Sequence, residues 1–370
     1  MRILTVFGTR PEAVKMAPVV KMLASTPNIE SRVCVTAQHR QMLDQVLNLF
    51  QIEPNYDLNL MRDGQSLAQL SADIFTHLDP VLEDFKPDWV LGQGDTTTVA
   101  ITSMSCFYRR IRFGHVEAGL RTHDKWQPFP EEVNRRIVSV VADLHFAPTE
   151  WSKNNLLREN VDEKTIKVTG NTVIDALQFV AQQPEPTEIT ELINGKLKNK
   201  KIILVTAHRR ENFGEPIENI CKALIQIASR GDVEIVYPVH LNPNVQEPVN
   251  RLLRDVEHIT LLQPMDYLPL VHLMKHANII LTDSGGIQEE APAFGIPTLV
   301  LRDVTERPEG VDAGTLKLAG TATSHIVEET RRLLDDESTY KKMATSANPY
   351  GDGHATEKII EALLGSRENL

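Results

Sequence analysis

The stretch Thr282-Asp283-Ser284-Gly285-Gly286-Ile287-Gln288-Glu289-Glu290 places two glycines between a predicted strand and a predicted helix. The apolar run Asn278-Ile279-Ile280-Leu281 before it predicts a buried parallel strand, and Ile287 to Phe294 predicts a helix that ends at Gly295. Glycines at such a turn let a ligand approach the backbone, and a helix N-terminus attracts an anion, most often a phosphate. The two glutamates that follow are placed to accept hydrogen bonds from a ribose. The turn therefore predicts a nucleotide site, or else an ordinary strand-to-helix turn that uses glycine for tightness.

Outward from this turn, short apolar runs alternate with longer amphipathic stretches. The alternation predicts βα repetition, and hence parallel sheets with helices on both faces. The predicted strands are Ile3–Phe7, Arg32–Thr36, Trp89–Gln93, Arg112–Val116, Leu144–Ala147, Thr165–Thr169, Lys201–Thr206, Glu234–Val239, Ile259–Leu262, Ile279–Thr282, Thr298–Leu301 and Leu316–Leu318. The predicted helices include Ala13–Ala24, Gln41–Leu49, Leu67–Phe85, Ile217–Ser229, Leu268–Lys275 and Thr356–Leu364.

The repetition is interrupted at Gln183-Pro184-Glu185-Pro186-Thr187, where two prolines and polar neighbours predict a linker or a loop at a domain edge. We therefore expect an N-terminal Rossmann-like domain at 1–180, with a C-terminal helix at 354–370 packing back on it, and a C-terminal Rossmann-like domain at 181–353. The predicted fold class is α/β. Because ligands of open α/β sheets bind beyond the carboxyl ends of the strands, two such βαβ domains are expected to face each other across a deep cleft.

Composition excludes several classes of function. The net charge of −11 argues against a general binder of nucleic acid or of anionic membranes. No apolar run is long enough to span a bilayer, so membrane insertion is not expected, and the N-terminus opens as a strand rather than as a secretion signal. Cys34, Cys106 and Cys221 are far apart and suggest no disulfides, which fits a reducing cytoplasm, and we expect the first two to be buried thiols.

Basic residues follow the first predicted strand. Arg10 lies in Gly8-Thr9-Arg10-Pro11-Glu12, and Lys15 lies one turn further along the next helix. Two cations near a helix N-terminus oppose the helix dipole unless an anion lies between them. The pair therefore predicts a bound phosphate, or else a solvated basic pair.

Carboxylates stand at three later positions of the first half. Asp95 follows a strand, where it could instead cap the next helix. Glu117 ends a strand that is otherwise buried, so it needs a partner or a function, and Arg121 is a possible structural partner. Glu131 opens a helix, where acidic residues are also ordinary partners of the helix dipole.

In the second half, Thr206-Ala207-His208-Arg209-Arg210-Glu211-Asn212 sets a histidine and two arginines after a strand. This arrangement predicts a phosphate grip in which His208 assists a leaving group. The chain has no Asp-x-Asp motif and no histidine pair at ligand spacing, and the glycines at 92–94 lack the third glycine of a dinucleotide fingerprint. Neither a metal nor another cofactor is therefore expected.

In combination, these motifs closely resemble the bacterial non-hydrolysing UDP-N-acetylglucosamine 2-epimerases, and the resemblance runs across nearly the whole chain. The matching stretches are Phe7-Gly8-Thr9-Arg10-Pro11-Glu12-Ala13, Thr36-Ala37-Gln38-His39-Arg40, Gly94-Asp95-Thr96-Thr97-Thr98, Gly114-His115-Val116-Glu117-Ala118-Gly119-Leu120-Arg121-Thr122, His208-Arg209-Arg210-Glu211, Tyr237-Pro238-Val239-His240-Leu241-Asn242-Pro243 and Asp283-Ser284-Gly285-Gly286-Ile287-Gln288-Glu289-Glu290.

The resemblance implies a GT-B architecture and an isomerase that interconverts UDP-N-acetylglucosamine and UDP-N-acetylmannosamine. It implies elimination of UDP to a bound 2-acetamidoglucal, followed by re-addition. The catalytic residues that it implies are Asp95, Glu117, Glu131 and His208. The implied substrate-binding residues are Arg10, Lys15, Ser284, Gly285, Gly286, Glu290 and Arg307, with Glu290 on the ribose.

Some family members bind a second UDP-N-acetylglucosamine as an activator. The matching positions here are Gln38, Gln41, Gln65, Arg209 and His240. Gly64 stands where some regulated members have arginine, so these polar residues could instead merely line the cleft.

The resemblance also implies partners and a pathway. UDP-N-acetylglucosamine and UDP are the expected ligands, and a homodimer is expected, for which exposed faces of Leu67–Phe85 could serve. The expected pathway is bacterial surface polysaccharide synthesis, such as enterobacterial common antigen. Three alternatives stay open: a hydrolysing 2-epimerase, a metal-independent GT-B glycosyltransferase and a non-enzymatic nucleotide-sugar sensor.

Overall fold

A computed structural model describes residues 1–36, 40–60, 62 and 64–366, with only the backbone of Gln41. The chain divides into two compact units. The first unit comprises residues 1–179 together with those from 350 onward, and the second comprises residues 180–349. Each unit is built around one parallel sheet, as the βα repetition predicts.

The described part of the first unit contains seven parallel strands. They are β1 (Arg2–Phe7), β2 (Glu30–Val35), β3 (Tyr56–Asp57), β4 (Trp89–Gln93), β5 (Arg112–Val116), β6 (Leu144–Ala147) and β7 (Ile166–Val168). The helices between and after them are α1 (Arg10–Ser25), α2 (Arg40–Phe50), α3 (Leu67–Phe85), α4 (Thr97–Arg109), α5 (Glu131–Val141), α6 (Glu150–Arg158) and α7 (Thr172–Ala181). The strand order is β3-β2-β1-β4-β5-β6-β7, so the order reverses between β1 and β4.

Large aromatic side chains fill the core of this unit. Trp89, Phe7 and Phe113 come from three strands and Phe85 from α3, and all four are at most 2% exposed. Burial of a side chain of this size contributes about 1.5–3 kcal/mol to folding. The apolar runs therefore form strands that are buried on both faces, as expected of a parallel sheet covered by helices.

The second unit repeats this plan after the helix α8 (Thr187–Asn194). Its strands are β8 (Lys201–Thr206), β9 (Val233–Pro238), β10 (Ile259–Leu262), β11 (Ile279–Thr282), β12 (Thr298–Val300) and β13 (Leu316–Leu318). Its further helices are α9 (Glu215–Ala228), α10 (Pro243–Leu253), α11 (Tyr267–His276), α12 (Gly285–Glu290), α13 (Pro308–Asp312), α14 (Thr323–Asp335) and α15 (Glu337–Ala344). The parallel order is β10-β9-β8-β11-β12-β13, which reverses between β8 and β11.

The helix α16 (Ala355–Gly365) returns the chain to the first unit. It packs against α1, and the side chain of Asp175 in α7 holds its N-terminus. The carboxylate of Asp175 accepts hydrogen bonds from the backbone N–H of Thr356 at 2.8 Å and of Ala355 at 3.3 Å. The chain therefore passes from the first unit to the second and back again.

The helix after the glycine turn differs from its predicted bounds. It begins at Gly285 rather than Ile287, and after Glu290 it tightens into a 3₁₀ turn over Ala291–Phe294. Pro292 lacks the N–H that an α-helical hydrogen bond would require there, which explains the change. Gly295 ends the turn in the left-handed conformation at φ 65°, as predicted.

The three cysteines are free and buried, so the prediction for Cys34 and Cys106 is confirmed. Burial raises the pKa of the Cys34 and Cys221 thiols to about 12. Within the described part of the chain, no helix is both long and apolar enough to cross a membrane.

Gly119 occupies a position that no other residue should tolerate. Its φ is +93°, and a Cβ there would lie 2.2 Å from the carbonyl oxygen of Ser152. We expect Gly119→Ala to lower the free energy of unfolding by roughly 3 kcal/mol, because backbone strain and overpacking add. Urea denaturation followed by circular dichroism measures the change.

The matched control is Gly64→Ala. Gly64 also has a positive φ, +69°, but a Cβ there would meet no atom of the described residues within 4 Å. This variant should lose only the strain cost of about 1 kcal/mol. Equal losses in the two variants would show that the contact with Ser152 is not the cause.

Candidate active site

The switch point of the first sheet lies between β1 and β4, which pair side by side. In doubly wound sheets, ligands bind outside the carboxyl ends of the strands at this point. The turn after β1 carries Arg10, and the turn after β4 carries Asp95. Two of the predicted site residues therefore lie where the topology favours a ligand.

The buried carboxylate of Glu12 connects these two turns, and it was not among the residues predicted from the sequence. Glu12 is 2% exposed, and its Oε2 accepts hydrogen bonds from the N–H groups of Gly8 at 2.8 Å and Thr9 at 2.7 Å. Its Oε1 accepts one from the hydroxyl of Thr96 at 2.5 Å. Burial raises the pKa of Glu12, whereas these hydrogen bonds act in the opposite direction. Glu12 thus fixes the turn after β1 against the turn after β4.

Glu117 follows β5 directly and has the left-handed φ of 65°. It is 8% exposed, and both carboxylate oxygens accept hydrogen bonds from the ammonium of Lys15, at 2.8 and 2.7 Å. The side-chain amide of Gln93 also donates to Oε2. The anion beside Lys15 is thus a carboxylate of the protein itself, whereas the sequence predicted a bound phosphate there.

Arg121 is not the partner of Glu117, so that interpretation is wrong. Its side chain is fully buried and forms a bidentate ion pair with Glu159, at 2.9 and 2.7 Å. Arg121 also donates to the hydroxyl of Ser139 at 2.8 Å. Arg121 therefore holds the start of its own loop against α5 and the end of α6.

Asp95 pairs with Arg135 of α5. Nε of Arg135 donates to Oδ2 of Asp95 at 2.9 Å, and Nη2 lies 2.8 Å from the same oxygen. Nη1 donates to the buried Glu132 at 3.2 Å. Asn134 donates to the Asp95 backbone carbonyl at 2.9 Å. The helix cap is Thr96, so the interpretation of Asp95 as the cap of α4 is wrong.

Glu131 opens α5, as predicted, but its surroundings differ from those of the other two carboxylates. Its Oε2 is buried and has no hydrogen-bond partner among the residues that the structure describes. By contrast, Glu117 faces Lys15 and Asp95 faces Arg135. The three carboxylates thus stand in three distinct environments.

His115 in β5 contacts the turn that carries Asp95. It is 1% exposed, and its Nε2 lies 2.7 Å from the carbonyl oxygen of Gly94, the residue before Asp95. Burial lowers the pKa of His115 to about 3, so the ring is neutral and Nε2–H is the donor. Sequence reasoning did not assign it, although the polar residue in a buried strand was a usable signal.

The second sheet has its switch point between β8 and β11, and Asp283 lies in the turn after β11. Asp283 is fully buried. Its Oδ2 accepts hydrogen bonds from the N–H groups of His208 at 2.9 Å and Arg209 at 2.8 Å, and from the amide of Asn212 at 2.9 Å. As in the first unit, a buried carboxylate ties together the turns on either side of the switch point.

The glycine turn lies beside Arg307. A Cβ on Gly285 would lie 3.0 Å from the guanidinium carbon of Arg307, so the absence of a side chain lets the cation approach the start of α12. Glu289, which is 2% exposed, accepts a hydrogen bond from Nε of Arg307 at 2.9 Å, and Glu306 accepts one from Nη1 at 2.9 Å. Backbone N–H groups and a held guanidinium together form a suitable site for a phosphate.

Glu290 is 5% exposed and accepts a hydrogen bond from the hydroxyl of Tyr267 at 3.0 Å. Tyr267 is the first residue of α11. A cavity of about 400 Å³ lies between the start of this helix and the carboxyl end of β10. Sequence reasoning did not assign Tyr267. The cavity is lined by Glu188, Ile189, Leu192, Leu262, Gln263, Pro264, Met265, Asp266 and Pro269.

His208 lies beside His240, with ring centroids 5.2 Å apart and planes inclined by 16°. The backbone N–H of Asn242 donates to Nδ1 of His240 at 3.0 Å, which fixes the orientation of that ring. His208 keeps 38% of its side chain exposed. The exposed imidazole and the backbone of Arg209 lie at the same switch point as the glycine turn.

The remaining predicted residues are placed as follows. Arg10 is partly exposed and has no ion-pair partner among the described residues. Gln65 donates to Asp73 at 2.8 Å. Gln38 and the side chain of Gln41 lie outside the described residues.

Between residues 1 and 366, apart from those outside the described ranges, no group of three or more His, Cys, Asp or Glu side chains is arranged to hold a metal ion.

Two parallel, doubly wound sheets, each with charged side chains at its switch point, define an α/β two-domain protein of the GT-B-like class. The sequence profile of the UDP-N-acetylglucosamine 2-epimerase family matches residues 21–364. The UDP-N-acetylglucosamine 2-epimerase of Salmonella typhimurium is 56% identical over 379 residues, which cover the whole of both chains. This chain belongs to the UDP-N-acetylglucosamine 2-epimerase family.

Solved structures agree with this assignment. The crystal structure of UDP-GlcNAc 2-epimerase from Neisseria meningitidis bound to UDP-GlcNAc has a TM-score of 0.91 at 52% identity, and covers 99% of this chain and 100% of that one. The Methanocaldococcus jannaschii enzyme in complex with UDP-GlcNAc and UDP has a TM-score of 0.81 at 31% identity, with 99% and 100% coverage.

Proposed function

We propose that this protein interconverts UDP-N-acetylglucosamine and UDP-N-acetylmannosamine without net hydrolysis. The observation that carries the proposal is the similarity of the chain, over its whole length and above half identity, to proteins named UDP-N-acetylglucosamine 2-epimerase. The solved relatives that hold UDP-GlcNAc or UDP support these compounds as ligands of this chain. The three carboxylates and the glycine turn beside Arg307 supply the kinds of groups that the reaction needs.

The chemistry must overcome a poorly acidic proton, because no carbonyl stands beside C2 of the sugar. In the proposed reaction, a base removes this proton while the bond between C1 and the diphosphate oxygen breaks. UDP leaves with the electron pair, and 2-acetamidoglucal keeps a double bond between C1 and C2. A proton then reaches the opposite face of C2 and UDP adds back to C1, so C2 is inverted and no atom is lost.

Acid and base on opposite faces of C2 require carboxylates in unlike surroundings. We assign this work to Asp95, Glu117 and Glu131. The assignment is supported by their distinct partners: Arg135 for Asp95, Lys15 for Glu117, and none among the described residues for Oε2 of Glu131.

Residues of the second unit are proposed to hold UDP. Arg307 and the backbone at Ser284, Gly285 and Gly286 suit the diphosphate, because they offer a guanidinium and the backbone N–H groups at the start of α12. Glu290 is assigned to the ribose hydroxyls. In the first unit, Arg10 and Lys15 are the cations available for the same ligand.

His208 is assigned to the departing diphosphate, since its partly exposed imidazole can donate a hydrogen bond to it. We further propose that Arg209 and His240, with Gln38, Gln41 and Gln65, take part in binding a second, activating UDP-N-acetylglucosamine. The stacking of His240 on His208 supports a link between such a ligand and the catalytic histidine. The product is proposed to feed bacterial surface polysaccharide synthesis, such as enterobacterial common antigen.

Proton NMR of UDP-N-acetylglucosamine with the purified protein in D₂O tests the reaction. We expect the anomeric signal of UDP-N-acetylmannosamine to appear, deuterium to enter C2, and free UDP not to accumulate. Free UDP together with N-acetylmannosamine would instead assign a hydrolysing enzyme. No change over a wide range of substrate concentration, which allows for activation, would overturn the epimerase proposal.

We also propose a homodimer formed through the first unit. Val133, Ile137 and Val140 repeat along one face of α5, and Val140 is 87% exposed. On the neighbouring α4, Phe107 and Tyr108 are 63% and 66% exposed. An apolar surface of this kind is typical of a protein interface.

The double variant Ile137→Glu, Val140→Glu tests this interface. Buried charges without partners would oppose association, so we expect analytical ultracentrifugation to show a dimer for the wild type and a monomer for the variant. Val304→Glu is the control, since Val304 is 74% exposed but lies in the second unit. A double variant that stays dimeric would place the interface elsewhere.

A further inference from the structure

The contacts of Asp283 divide its two carboxylate oxygens. Oδ2 accepts all three hydrogen bonds, from the N–H groups of His208 and Arg209 and from Asn212. Oδ1 is buried and has no hydrogen-bond partner among the described residues, and it lies 3.8 Å from Nδ1 of His208. One oxygen thus fixes the backbone of the histidine turn, while the other faces the imidazole.

His208 is held on two sides. Nδ1 faces Asp283, and the ring of His240 lies against it at a centroid distance of 5.2 Å. Nε2 is at the far end of the ring from Nδ1, and the side chain keeps 38% of its surface exposed. A distance of 3.8 Å is longer than a hydrogen bond, but catalytic hydrogen bonds are often long before a ligand binds.

We infer that Asp283 is a positioning residue, which holds His208 with its Nδ1–H directed at the carboxylate and leaves Nε2 to exchange a proton with the ligand. The inference rests on the proposed function, in which His208 serves the departing diphosphate. When the C1–O bond breaks, the proton on Nε2 passes to the diphosphate oxygen, and it returns to Nε2 when UDP adds back. Nδ1 keeps its proton throughout, and Asp283 stays a carboxylate.

The charges around His208 agree with this arrangement. Burial lowers the pKa of His208, and the carboxylate of Asp283 opposes that effect. His240 and Arg209 lower it further. Asp283 is therefore the group that favours the protonated imidazole, and a bound diphosphate would add to its effect.

Nitrogen-15 NMR of histidine-labelled protein tests the inference directly. The neutral His208 ring of the wild type should be the Nδ1–H tautomer, with the signal assigned by its loss in His208→Gln. An Nε2–H tautomer in the wild type would overturn the inference. This measurement needs neither turnover nor a change at position 283, so it remains decisive if variants of Asp283 fail to fold.

Asp283→Asn extends the test. If its amide nitrogen replaces Oδ1, that nitrogen donates toward Nδ1 and favours the wrong tautomer, as an asparagine does in the serine-protease triad. We expect the Nε2–H tautomer, a lower His208 pKa because the facing negative charge is lost, and a kcat lower by roughly 100-fold, with little change in KM. An unchanged tautomer and pKa in the folded variant would contradict the inference.

Asn212→Ser is the matched control, because it removes a hydrogen bond to the same carboxylate but keeps its charge. The His208 tautomer should not change in this variant. If the purified protein shows no epimerase activity while the Nδ1–H tautomer is found, the proposed function fails and the positioning of His208 stands.

Discussion

Glu117→Gln is expected to lower kcat for epimerisation by about 10³-fold and to slow the entry of deuterium at C2 equally, because general acid–base groups contribute roughly 10²–10⁴-fold. Glutamine keeps the size of the side chain and an oxygen that can accept from Lys15. It cannot take up a proton, however, and it removes the negative charge that faces the ammonium at 2.7 Å. Proton NMR in D₂O measures interconversion and exchange together.

Glu163→Gln provides the control for this experiment. Glu163 also pairs with a lysine, Lys153 at 2.8 Å, but its side chain is 68% exposed. We expect wild-type activity from this variant, since an exposed ion pair contributes little. Retention of more than about a tenth of the wild-type kcat in Glu117→Gln would remove Glu117 from the acid–base assignment.

Arg307→Met is expected to weaken UDP binding by roughly 10- to 100-fold, because a hydrogen bond to a charged group contributes about 1.5–3 kcal/mol. The guanidinium lies within 3.2 Å of the position that a Cβ on Gly285 would occupy, at the start of α12. Methionine keeps much of the length of the side chain but offers neither charge nor donors. Isothermal titration calorimetry with UDP measures the loss.

Arg230→Met is the matched control for UDP binding. Arg230 lies in the same unit and pairs with Asp232 and Asp335, outside the glycine turn. We expect the Arg230→Met variant to bind UDP with the affinity of the wild type. If Arg307→Met also binds UDP as tightly as the wild type, the diphosphate does not contact this guanidinium.

The alternation of apolar runs and amphipathic stretches was sufficient to predict the α/β class and most strands. Trp89–Gln93 and Lys201–Thr206 have the predicted bounds, since apolar runs buried on both faces are distinct in sequence. The two-residue strand β3, Tyr56–Asp57, was not predicted, because a pair of residues shows no periodicity. The start of α12 at Gly285 was also not predicted. Glycine is a poor helix former, so the sequence pattern favoured a start at Ile287.

The candidate site was only partly predictable. Charged residues after strands could be found from the sequence, because parallel strands bring their carboxyl ends to one edge of a sheet. Partners could not be found this way, since Lys15 and Glu117 are 102 positions apart. The role of Glu12 and Asp283 in connecting neighbouring turns was not predicted. It depends on hydrogen bonds from backbone N–H groups, which leave no pattern in the sequence.

The return of the chain to the first unit has a consequence for synthesis. On the ribosome, 170 residues, 180–349, separate the two parts of that unit. At about 5–20 residues per second, α16 emerges roughly 10–30 s after the segment that it completes. During this interval the face of α1 that later packs against α16 is exposed in the nascent chain. We therefore expect the nascent first unit to be a client for chaperones until translation passes α16, even though its whole sheet has already been made.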